Sequence, residues 1–248
     1  MRDIELALQE HKQAVIDAGY HPARILGIFL YGSQNYNLAT ENSDVDTKAI
    51  IIPSIFELCD SKCKPFVKEL SLPNNEKCVV MDIRHYVENL YKQNINYVEI
   101  LFTKYKWINP TYAAKWELLI KNREAIARYD ENKAIQSMGH QALHTLRQDP
   151  FNPSKFTRTL FLEKFLRDYI SNDKPYEEIL RVSDEEKQPY LDIKTGKTPY
   201  DLEDIFKLRY SIQDIVNNVK FDDANEEKQK NIRGELTFWT AEFVLSLL

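Results

Sequence analysis

The chain has 248 residues, 43% hydrophobic and 29% charged, with a net charge of -5 from 33 basic and 38 acidic side chains. With 6 glycines and 10 prolines scattered along it, it is neither low-complexity nor collagen-like, and its acidic balance disfavours a dedicated nucleic-acid coat without excluding a local basic patch. No apolar run approaches the roughly 18 residues of a membrane span, and the N-terminal stretch lacks the unbroken apolar core of a signal peptide, so a cytoplasmic location and no membrane partner are expected.

Residues 3–18 read as an amphipathic helix, with Ile4, Ala7, Leu8, Val15 and Ile16 near one face. "RILGIFLYG" (24–32) is a short apolar run ending in glycine, the pattern of a central strand. After the polar, turn-forming stretch 34–43, "VDTKAIIIP" (45–53) reads as a second strand stopped by Pro53. Residues 59–77 form a loop-rich excursion, with an exposed hairpin as one form it could take. "CVVMDI" (78–83) is a third strand, and "RHYVENLYKQN" then turns helical.

Asn109-Pro110 marks the expected seam between domains at 1–108 and 109–248. Beyond it only helical periodicity is evident, at 111–128, 131–147, 154–171, 175–181, 201–218 and 226–248, with Ser154 expected to cap the third. The predicted class is α/β (α+β): a mixed sheet flanked by helices, followed by an all-helical C-terminal module.

The chemistry concentrates in "YGSQNYNLATENSDVDTKAIIIP". Extended residues two apart point the same way, so Asp44 and Asp46 place two carboxylates on one face, about 7 Å apart by strand rise. Such carboxylates raise one another's pKa unless a cation lies between them, and magnesium takes hard oxygen ligands of this kind, completing its shell with water and substrate phosphates. Gly32 leaves backbone room at a strand end, Ser33 adds a hydroxyl, and a helix starting there would turn free N–H groups toward a phosphate. Metal-assisted phosphoryl chemistry commonly uses a third carboxylate. Asp82, ending the third strand, is the candidate, with Glu69, Glu76 and Glu88 as rivals.

Gly-Ser, ten residues and then Asp-Val-Asp, with an acid on a later strand, resembles the nucleotidyltransferase signature of the DNA polymerase beta superfamily. The fuller stretch is similar to a minimal branch written roughly Gly-Ser-x-x-Tyr-Gly-x-x-x-x-x-Ser-Asp-x-Asp, whose members are described as predicted nucleotidyltransferases of the RNA-repair-pathway type. "MDIRHYVENLYKQNINYVEILFT", "SKFTRTLFLEKFLRDYI" and "YLDIKTGKTPYDLEDI" resemble it more loosely, and Asn37 stands where the branch often has glycine. The resemblance implies that Gly32 and Ser33 hold the triphosphate. It implies that Asp44 and Asp46 bind two magnesium ions, manganese being the alternative, and that Asp82 binds one ion and helps deprotonate the acceptor. The reaction implied is attack on the α-phosphate of an NTP such as ATP, transferring a nucleoside monophosphate to a hydroxyl of RNA or tRNA, a protein or a small molecule, with release of pyrophosphate. The alternative is a catalytically silent nucleotide- or partner-binding module, antitoxin-like, that keeps the fold.

Other features have plainer readings. Lys155 and Arg158, on the helix near Ser154 with Lys164 and Arg167, would reach the β- and γ-phosphates by analogy with related enzymes, or else form a solvated basic face. Glu99, an acid in an apolar stretch, is expected to pair with a buried Arg or Lys between the modules. His140 and His144 suit packing or hydrogen bonding better than metal binding, and "FTKYKW" (102–107) suits a boundary core patch better than base stacking. Cys59, Cys63 and Cys78 read as free thiols, with zinc at Cys59, Cys63, Cys78 and His85 the lesser alternative.

Overall fold

The computed structural model describes residues 2–221 and 226–247. Five strands form one mixed sheet: β1 (Ile25–Tyr31), β2 (Asp46–Ile51), β3 (Val67–Ser71), β4 (Lys77–Asp82) and β5 (Lys106–Ile108), in the order β3-β4-β2-β1-β5. β1 runs antiparallel to both β2 and β5, β3 runs antiparallel to β4, and β2 and β4 are parallel. The 59–77 excursion therefore contains the outer strand of a hairpin with β4. β5 is an edge strand that the sequence pattern, three residues long, does not reveal.

The helices are α1 (Ile4–Asp17), α2 (Ile55–Cys59), α3 (Ile83–Tyr91), α4 (Ile95–Val98), α5 (Ala113–Lys121), α6 (Arg123–Ala127), α7 (Glu131–Gln148), α8 (Pro153–Ser171), α9 (Tyr176–Ile179), α10 (Lys187–Lys194), α11 (Leu202–Asn218) and α12 (Glu226–Leu245). α10 was not expected. It buries no residue fully and carries Pro189 in its first turn, where proline is tolerated, so it lacks an apolar stripe to betray it. At α8, the cap is Asn152, whose Oδ1 accepts from the Lys155 amide at 3.2 Å, with Pro153 starting the helix. Ser154 is thus already inside the helix.

The two faces of the sheet are covered differently. α1 lies on one, where Leu8 and Val15 pack with Ile25, Ile28, Ala49, Ile51, Cys78 and Val80. On the other, Phe29, Ile50 and Met81 enter a core that continues through α5, α7, α8, α11 and α12. Ring contacts carry it across the seam: Phe29 meets Trp116 at 4.6 Å, and Tyr36 stacks on Phe161 at 4.3 Å. All described strands precede Asn109, yet the sheet and the helices beyond it share this core. Phe102, from the "FTKYKW" stretch, is buried against Tyr176 at 4.8 Å. Among the described residues no helix is long and apolar enough to cross a membrane.

Candidate active site

Antiparallel pairing brings the end of β1 beside the start of β2, with Tyr31 opposite Asp46. Just beyond Tyr31, Gly32 takes φ +87°, a backbone conformation glycine adopts without a steric penalty. No helix begins there. Residues 33–37 form a turn in which the Asn35 amide donates to the Gly32 carbonyl and the Leu38 amide to Ser33, each at 2.9 Å. Asn37 sits in the left-handed region at φ 61°, as asparagine can, and its amide group donates to the Val182 carbonyl at 3.0 Å.

Glu99 holds this turn from below. Its fully buried carboxylate accepts from the Gly32 amide at 3.0 Å and the Asn35 side chain at 3.1 Å through Oε2, and from the Tyr36 hydroxyl at 3.0 Å through Oε1. The direct partners are neutral donors rather than the buried Arg or Lys expected. The Gly32 N–H is therefore committed to Glu99, and Ser33 remains as the turn's hydroxyl facing the cleft.

Above the turn opens a cleft of about 610 Å³ whose lining includes Gly32, Ser33, Asp44 and Asp46 from the sheet side and Lys155 and Arg158 from α8. These are the site residues read from the sequence, with one exception. Lys194, from the unforeseen α10, also lines it. Its Nζ donates to the Leu38 carbonyl at 2.8 Å and lies 3.2 Å from Ser43 Oγ, so it ties down the connection that carries Asp44. Burial lowers the Lys194 pKa, while the charge of Asp44 acts to raise it. Tyr36, Leu38 and Phe161 form an apolar wall of the same cleft.

Asp46 is half-buried, and its Oδ1 accepts from the Lys77 amide at 3.0 Å. Burial chiefly, and the charge of Asp44, hold its carboxyl above the ordinary range against that hydrogen bond. Asp44 is exposed, with Oδ2 3.2 Å from the Asn75 amide nitrogen. Two neighbouring carboxylates, one of them reluctant to ionise, fit an oxygen-seeking divalent cation whose other ligands come from water and phosphate.

Asp82 is the exception. β4 runs parallel to β2, and Asp82 is paired with Ile51, five residues along from the Asp46 end of the sheet, or about 16 Å by strand rise. It also lies on the Cys78 and Val80 side of β4, away from Asp46, which shares a face with Lys48 and Ile50. Its buried carboxylate caps α3 through the Arg84 amide at 2.7 Å and pairs with the Arg84 guanidinium at 2.7 Å. The expectation that Asp82 joins Asp44 and Asp46 is thus corrected: the carboxylate is a helix cap and ion-pair partner at the opposite end of the sheet.

Of its rivals, Glu76 is buried against His11 at 3.1 Å and Arg2 at 2.5 Å, and Glu88 is exposed and pairs with Lys92 at 2.6 Å. Glu69 shares the face of Asp46 by strand register but lies two strands away, paired with Lys77 at 3.0 Å. Among the described residues, no three His, Cys, Asp or Glu side chains form a set able to hold a metal ion, which covers the Cys59–Cys63–Cys78–His85 combination and the exposed His140 and His144.

Lys48 also escaped the sequence reading. It is 3% exposed, shares the face of Asp46, and lies with Nζ 2.7 Å from the Asn96 carbonyl and 3.3 Å from the Tyr31 ring centroid. Burial pushes its pKa down to about 7, with Arg158 acting in the same sense and Glu99 and Asp46 opposing. Its signal was a lysine amid the apolar residues of "VDTKAIIIP", where a charge needs a partner.

No protein-family model and no curated protein matches the chain. Among solved structures, it is similar to a nucleotidyltransferase-like protein from Exiguobacterium sibiricum, at 12% identity, TM-score 0.34, and coverage of 98% of this chain and 77% of that one. A likeness this distant carries no argument, so the functional reading rests on the cleft.

Proposed function

We propose that the chain is a nucleotidyltransferase that moves a nucleoside monophosphate from an NTP to a hydroxyl acceptor and releases pyrophosphate. One observation carries this reading: Ser33, Asp44, Asp46, Lys155, Arg158 and Lys194, drawn from four separate stretches of chain, line one cleft. The signature resemblance supplies the choice of the α-phosphate. Asp44 and Asp46 would hold magnesium, as two ions, with manganese the alternative; when bound, the metal would polarise the triphosphate and offset its charge. Lys155, Arg158 and Lys194 would offset the remaining phosphate charge, Ser33 would donate its hydroxyl, and Tyr36, Leu38 and Phe161 would pack against the base.

In the transfer, the acceptor oxygen forms a bond to the α-phosphorus as the bond to the bridging oxygen of pyrophosphate breaks. The hydroxyl proton passes to water in the cleft, since Asp82 lies at the opposite end of the sheet. The acceptor would be an RNA or tRNA end, a protein hydroxyl or a small molecule.

The test is incubation with each α-labelled NTP, magnesium, and total RNA or cell lysate. Label transfer that vanishes in Asp44→Asn and Asp46→Asn is the expected result; its absence with every NTP and acceptor rejects the enzyme reading. The two-carboxylate cleft favours one second reading, a nucleotide-binding module without turnover. Calorimetric NTP binding with no pyrophosphate release would select it.

A further inference from the structure

Arg158 stands on α8, in the helical half of the chain, whereas Lys48 stands on β2; both cations converge on Asn96. The Arg158 Nη2 donates to Asn96 Oδ1 at 2.6 Å, and Lys48 Nζ donates to the Asn96 carbonyl at 2.7 Å. Asn96 is itself fixed, because its amide donates to Oδ1 of Asn94, the cap of α4, at 3.1 Å. Arg158 lines the cleft, while Lys48 lies buried behind Tyr31.

We propose that Asn96 is the positioning residue that seats the Arg158 guanidinium in the cleft for a polyphosphate ligand. The inference rests on the triphosphate reading of the cleft and deepens it. A free arginine has many rotamers, and ordering it on binding costs affinity. One nitrogen of the guanidinium, Nη2, is held by a neutral acceptor, which leaves its other donors for phosphate oxygens. A carboxylate in the same place would compete with the phosphate; a carboxamide does not. Lys48 fixes the other end of the arrangement by holding the Asn96 backbone to the sheet.

The experiment is calorimetric titration of the full chain with inorganic tripolyphosphate and magnesium, for wild type, Asn96→Ala, Arg158→Ala, Lys155→Ala and the doubles Asn96→Ala/Arg158→Ala and Asn96→Ala/Lys155→Ala. Asn96→Ala is expected to weaken binding about five- to tenfold. The double with Arg158 should bind no more weakly than Arg158→Ala, whereas the double with Lys155 should show the two losses multiplied. A general structural defect would not single out Arg158. Should Asn96→Ala fail to fold, Asn96→Ser and Asn96→Asp replace it, with Asn96→Asp expected to weaken binding despite keeping an acceptor. Wild-type binding with Asn96 variants unchanged, or with losses at 96 and 158 that simply multiply, overturns this inference alone. No tripolyphosphate binding by wild type overturns the reading of the cleft and this inference together.

Discussion

The Gly32 amide donates to Glu99 Oε2 across 3.0 Å and 67 positions of sequence. This bond decides how the glycine–serine turn works. The strand-end glycine has its N–H committed to a buried carboxylate that holds the turn, and the cleft beside it is lined by Ser33 and by cations from the helical half. The Asn35 amide and Tyr36 hydroxyl complete the grip.

Removing that grip tests it. Glu99→Ala leaves the Gly32 amide without its acceptor and cuts the bonds from Asn35 and Tyr36, so urea unfolding should show a loss of about 3 kcal/mol or more. Glu99→Gln keeps an oxygen for Gly32 and Asn35 and offers Tyr36 a donor, so it should lose less than half as much.

The carboxylates separate by role. Asp44→Asn and Asp46→Asn should lower label transfer by about a thousandfold with folding intact. Asp82→Asn should leave transfer within about twofold but cost about 1–3 kcal/mol in chemical denaturation, because it weakens a helix cap and a buried pair with Arg84.

Asp46 also links stability to pH. Its folded pKa is raised, so the folded state holds a proton that the unfolded chain releases earlier. Stability should therefore fall as pH rises from the ordinary aspartate value through the raised one, and Asp46→Asn should remove that component. On the proposed reading magnesium would bind the ionised form; at neutral pH a saturating concentration should then raise the melting temperature of wild type by about 5 °C and of Asp44→Asn or Asp46→Asn by little.

Lys48 works in the opposite sense. Its pKa falls from 10.5 to about 7 on folding, so between these values the unfolded chain carries the extra proton and stability rises with pH. Its charged neighbours are Asp46, Glu99 and Arg158, with the Tyr31 and Tyr97 rings against the amine. Between about pH 7 and 9 Lys48→Met should flatten the stability profile relative to wild type by up to about 1.4 kcal/mol per pH unit, the Cys78 contribution being common to both proteins. Denaturation of wild type and variant across that window measures the difference.

The residues themselves determined the short-range part of this picture. Short apolar runs identified β1, β2 and β4, long apolar stripes identified most helices, and Gly32-Ser33 lay close to Asp44 and Asp46 because an antiparallel return sets one strand's end beside the next one's start. Lys155 and Arg158 were legible as a helical pair, though not the cleft they would line.

Tertiary structure alone decided direction and partnership. "CVVMDI" reads the same whether its strand runs parallel or antiparallel to β2. The antiparallel option would set Asp82 near the start of β2, but the observed parallel pairing sends it to the opposite end, and side-chain alternation turns it to the other face. The partners of Glu99, Lys48 and Lys194 were likewise illegible, since a buried charge announces only that it needs a partner. Which distant group satisfies it depends on how the helices close over the sheet.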